Sequence, residues 1–75
     1  MNITIQPTAY QLVENATIIS NKSDSVIFFQ KSDGTNPDPT DMHLMMPKTP
    51  LLITDGESVV IYNPNSQAIN IVTTS

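Results

Sequence analysis

Seventy-five residues without cysteine, with a single histidine and a net charge of −4, rule out several functions before any element is placed. A chain this short holds one domain, taken here as residues 1–75, and buries only about 60% of its unfolded surface; disulfides, iron–sulfur clusters and thiolate metal sites are excluded. Three lysines and no arginine against seven carboxylates give no basic stripe for nucleic acid and nothing to attract an anionic membrane.

Met1 to Gln6 has neither a basic start nor a long apolar stretch, so no signal peptide is expected and the chain reads as made in the cytoplasm, complete from Met1. Ile3 and Ile5 alternate with Asn2, Thr4 and Gln6, a half-buried strand that Pro7 ends. Tyr10 to Val13 and Ala16 to Ser20 follow as strands, with Glu14-Asn15 as a tight turn or a bulge between them. Asn21 to Asp24 is polar and turn-forming, and Val26-Ile27-Phe28-Phe29 is the most apolar run. Asp33 to Asp41 reads as an exposed loop, because Pro37 and Pro39 remove two amide donors and cannot sit inside a sheet. A short strand over Met42 to Met46 precedes Pro47 and Pro50. Leu51 to Thr54, Glu57 to Tyr62 and Gln67 to Thr73 then form an expected three-stranded meander, turning at Asp55-Gly56 and at Asn63 to Ser66.

No helix period is sustained and no internal repeat stands out. About seven short, closely spaced strands predict an all-β fold, a small antiparallel β-sandwich or jelly-roll-like barrel.

Two runs depart from the alternation of a half-solvated sheet. In Val26-Ile27-Phe28-Phe29 and Val59-Val60-Ile61-Tyr62 both faces are apolar. A central strand covered on both sides would explain that, but so small a chain has little mass to provide the cover. The second face is therefore expected to meet another subunit, with Ile27, Phe28, Phe29, Val60 and Tyr62 as interface candidates. Val26 and Phe28 point one way and Ile27 and Phe29 the other, so one phenylalanine is expected in the core and the other at the contact, with alternation leaving open which.

Sites for chemistry are sparse. His43 with Asp38 and Asp41 is short of the three or four ligands a zinc site needs, unless copies pool His43 at a symmetry axis. Asp33, Asn36, Asp38 and Asp41 depart from the calcium-loop spacing and read as loop solvation. Serines have only His43 as a base and no Gly-x-Ser-x-Gly elbow, Glu14 and Glu57 adjoin turns, and two glycines cannot make a phosphate loop. The expectation is no enzyme, no metal and no cofactor. Met42, Met45 and Met46 are expected to fill core gaps, and Tyr10 and Tyr62 to be buried with their hydroxyls satisfied. Three Asn-x-Ser/Thr triplets, at Asn2, Asn15 and Asn21, read as chance products of the composition.

Asn21-Lys22-Ser23-Asp24-Ser25-Val26-Ile27-Phe28-Phe29, the Pro-rich loop, Leu51 to Asn63 and Ala68-Ile69-Asn70-Ile71-Val72 share a cadence that resembles the small β-sandwich accessory proteins of tailed-bacteriophage virions: capsid decoration, head-fibre and tail-associated subunits. The resemblance covers residues 20–73 and rests on rhythm and composition, with no diagnostic motif and no functional residue carried over. It implies a virion structural protein acting as a symmetric oligomer, a homotrimer favoured, with capsid or tail proteins as partners. Two other readings stay open: a carbohydrate- or receptor-binding tip using Tyr10, Tyr62 or the 33–41 loop on glycan, and a small acidic phage-encoded inhibitor of a host protein.

Overall fold

The computed structural model describes residues 1–53 and 57–74. Eight strands are present: β1 (Asn2–Ile5), β2 (Tyr10–Val13), β3 (Ile18–Asn21), β4 (Ile27–Lys31), β5 (His43–Met45), β6 (Pro50–Leu52), β7 (Val59–Tyr62) and β8 (Ile69–Thr74), with one 3-10 turn at Pro39–Asp41. They form two antiparallel four-stranded sheets, β1-β8-β3-β6 and β2-β7-β4-β5. Two stacked sheets in these strand orders make an eight-stranded jelly roll. The expected all-β sandwich is what the chain forms, with one strand more than the sequence pattern suggested.

The core lies between the sheets and follows from alternation along each strand. Ile5, Ile19, Ile69 and Ile71 point inward from the first sheet, and Val13, Ile27, Met45, Val59 and Ile61 from the second. Each fully buried Ile contributes about 1.5–3 kcal/mol. Met42 joins Met45 in burial, whereas Met46 is exposed.

Three expectations about connections need correction. The C-terminal third is no meander: β6 and β8 lie in one sheet and β7 in the other, so consecutive strands cross the sandwich. Asp55-Gly56 lies outside the described residues, but β6 pairs with β3 and β7 with β2 and β4, which leaves no β6–β7 hairpin for it to close. Asn21, expected at the start of a polar turn, ends β3 fully buried. Asn15 does adopt the left-handed conformation (φ 60°), and it turns the chain from β2 to β3 in the opposite sheet rather than within one sheet.

The chain also carries an internal repeat that the sequence pattern did not reveal. The first half, β1–β4, and the second, β5–β8, have matching parts, and exchanging them turns the order β1-β8-β3-β6 into β5-β4-β7-β2, which is the second sheet. Pro7 and Pro47 follow the first strand of each half, and each precedes a residue of positive φ, Thr8 (54°) and Lys48 (61°). Leu12 matches Leu52, Ile19 matches Ile61, Asn21 matches Asn63 and Ile27 matches Ile69. Edge registers match too, Ile5↔Ile69 with Met45↔Ile27 and Ile18↔Leu52 with Val60↔Leu12. Between the central ladders the register differs by two residues, since Asn21 faces Ile71 but Ile61, not Asn63, faces Phe29; an even step keeps every side chain on its face. With so few identities the repeat is invisible in a linear reading. It emerges only once pairing shows which positions correspond.

Its chemical centre is the asparagine pair. Asn21 Nδ2 donates to the carbonyls of Ser25 (2.9 Å) and, across the halves, Met46 (3.1 Å), while its Oδ1 accepts from Ser23 N (3.0 Å). Asn63 Nδ2 donates to Gln67 O (2.8 Å) and, across the halves, to Ile5 O (3.0 Å) and Gln6 O (3.3 Å); its Oδ1 accepts from Asn65 N (2.9 Å). Each side chain thus folds its own turn and clasps the strand end of the other half. Both are 0% exposed, and buried amides survive only when their hydrogen bonds are made, as these are.

Candidate functional site

The two halves repeat their cores, but of their large exposed apolar side chains only the pair Leu12 and Leu52. Outward positions of the first sheet form the cross-strand row Asn2–Val72–Ser20–Pro50, and beside it Thr4 Oγ1 donates to Asn70 Oδ1 at 2.8 Å. The second sheet presents the row Tyr10–Tyr62–Phe28–Leu44, which crosses all four strands, and below it Leu12–Val60–Gln30. None of those seven side chains is charged.

Cross-strand register places the rings against one another. Tyr10 and Tyr62 lie with centroids 4.7 Å apart, tilted at 46°, and Phe28 stacks on Tyr62 at 6.2 Å and 24°. Such contacts fix aromatic rings in a plane and add about 0.5–1.5 kcal/mol per pair. Leu44 is 61% exposed at one end of the face and Leu12 47% at the other. Val60, although outward, is only 3% exposed, lying between its cross-strand neighbours Leu12 and Gln30. Beside it the Gln30 Oε1 atom is enclosed with no hydrogen-bond partner among the described residues.

The 33–41 loop is exposed along much of its length but is tied to this face at one point. Tyr10 Oη donates to Pro37 O at 2.8 Å, which satisfies one tyrosine hydroxyl as expected, and both tyrosines are half-buried. Partial desolvation, then Tyr62, then the Asp38 carboxylate, hold the Tyr10 phenol above its usual pKa.

Of the five interface candidates, Phe28, Val60 and Tyr62 share this outer face. Ile27 and Phe29 do not: Ile27 is 0% exposed in the core and Phe29 packs inward against it. Tyr10, Leu12 and Leu44 belong to the face and were not singled out for it together. Tyr10-x-Leu12 had the right alternation, but only the β2–β7 register sets it beside Tyr62 and Val60.

His43 is exposed, its ring 5.5 Å from that of Phe29. No three His, Cys, Asp or Glu side chains gather as a metal-ligand set among the described residues. Asp33 and Asp38 are instead committed to their own turns. Asp33 Oδ1 accepts from Thr35 N (3.0 Å) and Oγ1 (2.7 Å), and Asp38 Oδ1 from Thr40 N (2.9 Å) and Oγ1 (2.8 Å). Those hydrogen bonds favour the ionised form and lower both carboxyl pKa values. A lowered folded-state pKa contributes stability above the unfolded value, near 3.9, and loses it as pH falls through the folded value. Melting temperature is therefore expected to drop below about pH 4. The double variant Asp33→Asn/Asp38→Asn, which keeps both acceptors but cannot titrate, should show a shallower fall in the same series; an identical profile would contradict the assignment.

Compared with known protein families, curated proteins and solved structures, the chain matches none. The surface itself is what remains to argue from. Shallow hollows lined by Ser20, Lys22, Lys48 and Thr49, and by Met1, Glu14, Asn15 and Thr73, lie away from the aromatic face.

Proposed function

We propose that this protein is a non-enzymatic structural or binding subunit that works as a symmetric oligomer, its copies meeting through the outer face of β2-β7-β4-β5. The observation that carries the reading is the uncharged row Tyr10–Tyr62–Phe28–Leu44 on one of two sheets that otherwise correspond. Leu12 and Leu44 are exposed and Tyr10, Tyr62 and Phe28 partly so, and a contiguous apolar patch open to solvent marks an interaction surface. Fixed aromatic rings suit a contact core because little side-chain entropy is lost on docking.

Its proposed place is a tailed-phage virion, as a capsid-decoration or tail component, with a homotrimer favoured. Support comes from the cadence of residues 20–73 and from the jelly roll, which serves viral capsid domains; the latter is analogy at the level of fold. Jelly rolls also serve lectins, and the Tyr10–Tyr62 pair would suit a sugar face, so glycan binding is the second reading.

Sedimentation velocity over a concentration series tests the first reading. The wild type should dissociate on dilution from a defined oligomer, and Phe28→Asp should weaken assembly by ~100-fold or more while keeping its β circular dichroism, as loss of a contact hot spot does. A wild-type monomer throughout the series would overturn the oligomer. If tyrosine fluorescence of that monomer then responded to oligosaccharides, the glycan reading would replace it.

A further inference from the structure

Every strand ladder described joins one half of the chain to the other. β1 and β3 pair with β8, β3 with β6, β2 and β4 with β7, and β4 with β5; among the described strands no two of the same half are paired. The core follows the same rule across Ile5↔Ile69 and Ile27↔Met45. So do the two asparagine clasps, with Asn21 Nδ2 on Met46 O and Asn63 Nδ2 on Ile5 O. Each half is therefore the other's entire sheet partner. Covalently they are joined only through the segment between β4 and β5, much of it exposed.

From this topology we propose that the chain pairs with a second copy of itself by exchanging halves, β1–β4 of one copy completing β5–β8 of the other. Exchange rebuilds every ladder and both clasps without altering one, and only the connecting loop changes path. Exchange of this kind is a low-cost route to dimers. In the closed monomer the loop holds the halves at an effective concentration of about millimolar. Exchanged dimers consequently form on refolding at high protein concentration, or when the loop can no longer turn back. This association is independent of the aromatic face.

Deleting residues 31–42 tests it. Phe29 pairs with His43 in register, and after the deletion only Gln30 would stand between them. The tightest common hairpins need two linking residues, so the full β4–β5 register, Phe29↔His43 included, could form only between two chains. The expected product has twice the monomer mass, the wild-type β circular dichroism, and no monomer after ~100-fold dilution, because separating it requires unfolding both sandwiches. Adding Phe28→Asp should leave that dimer intact, which separates it from assembly through the aromatic face. A folded monomer from the deletion variant would overturn the proposal. Should the variant precipitate, the full-length chain decides. Refolded at high concentration with a protease site inserted between Gly34 and Thr35, it should give a dimer that cutting in the loop converts to monomer-sized particles with their β signal kept. A dimer that survives the cut would overturn the proposal. Fragments that part and unfold on cutting would overturn it equally.

Discussion

Asn63→Asp is expected to destabilise the protein strongly at neutral pH. The substitution keeps the side-chain shape but replaces an amide donor with a carboxylate oxygen facing Ile5 O, Gln6 O and Gln67 O. At 0% exposure a charge set against carbonyl oxygens is uncompensated, a class of defect that costs about 3–5 kcal/mol. A domain of this size has total stability of only about 4–11 kcal/mol at typical per-residue values, so the loss takes a large share of the margin. The pH dependence should run opposite to that of the wild type. Burial raises the new carboxyl pKa in the folded state, so the variant is best folded below the unfolded value and loses stability as pH rises through the folded one. Its protonated form can also donate to one carbonyl. Circular dichroism at pH 4.5 and pH 7 would check this; a stable fold at both, or better folding at pH 7, would show that the clasp does not bear the weight assigned to it.

Ile61→Ala carries the second large effect. Ile61 is 0% exposed at the centre of the core, opposite Gln11 on β2 and Phe29 on β4. Central strands have little freedom to collapse into a vacated space, so the cost should lie at about 2–5 kcal/mol. Urea unfolding would measure it as a lower midpoint with unchanged slope. Val60→Ala, one residue away on the opposite face, should cost less although Val60 is itself buried, because it removes fewer carbons and the partly exposed Leu12 beside it can shift into the space. Equal losses at the two positions would contradict the inward and outward assignment.

Local alternation made the strands legible. Ile3 and Ile5, Tyr10 to Val13 and the two doubly apolar runs all gave strands at or near their expected places, because period-two burial is a property of each segment by itself. Pairing is not such a property. The adjacency of Leu51–Thr54 and Glu57–Tyr62 suggested a hairpin, yet β6 and β7 pair with strands far away in sequence. Alternation put Phe28 and Phe29 on opposite faces but left open which face is the core. Phe28 and Phe29 sit side by side in the chain, and only the β4–β7 and β4–β5 registers send Phe28 to Tyr62 and Phe29 inward toward the core. Asn21 and Asn63 look like ordinary turn residues in a sequence rich in Asn. Their importance depends on carbonyls of the opposite half, which no short window contains.

The pairing of halves also governs how the protein comes into being. As the chain leaves the ribosome, β1 to β4 emerge first, and none has a ladder partner among the others. Asn2 must wait for Val72, and Ile5 for Ile69. The nascent first half thus carries Val26-Ile27-Phe28-Phe29 without ladder partners until β5 and β7 are translated, and most productive contacts close long loops. Such non-local topologies fold in milliseconds to seconds rather than microseconds, and exposed apolar strand edges invite aggregation in the interval. Yield in a cell is therefore set as much by protection of an unfinished chain as by the stability of the finished one.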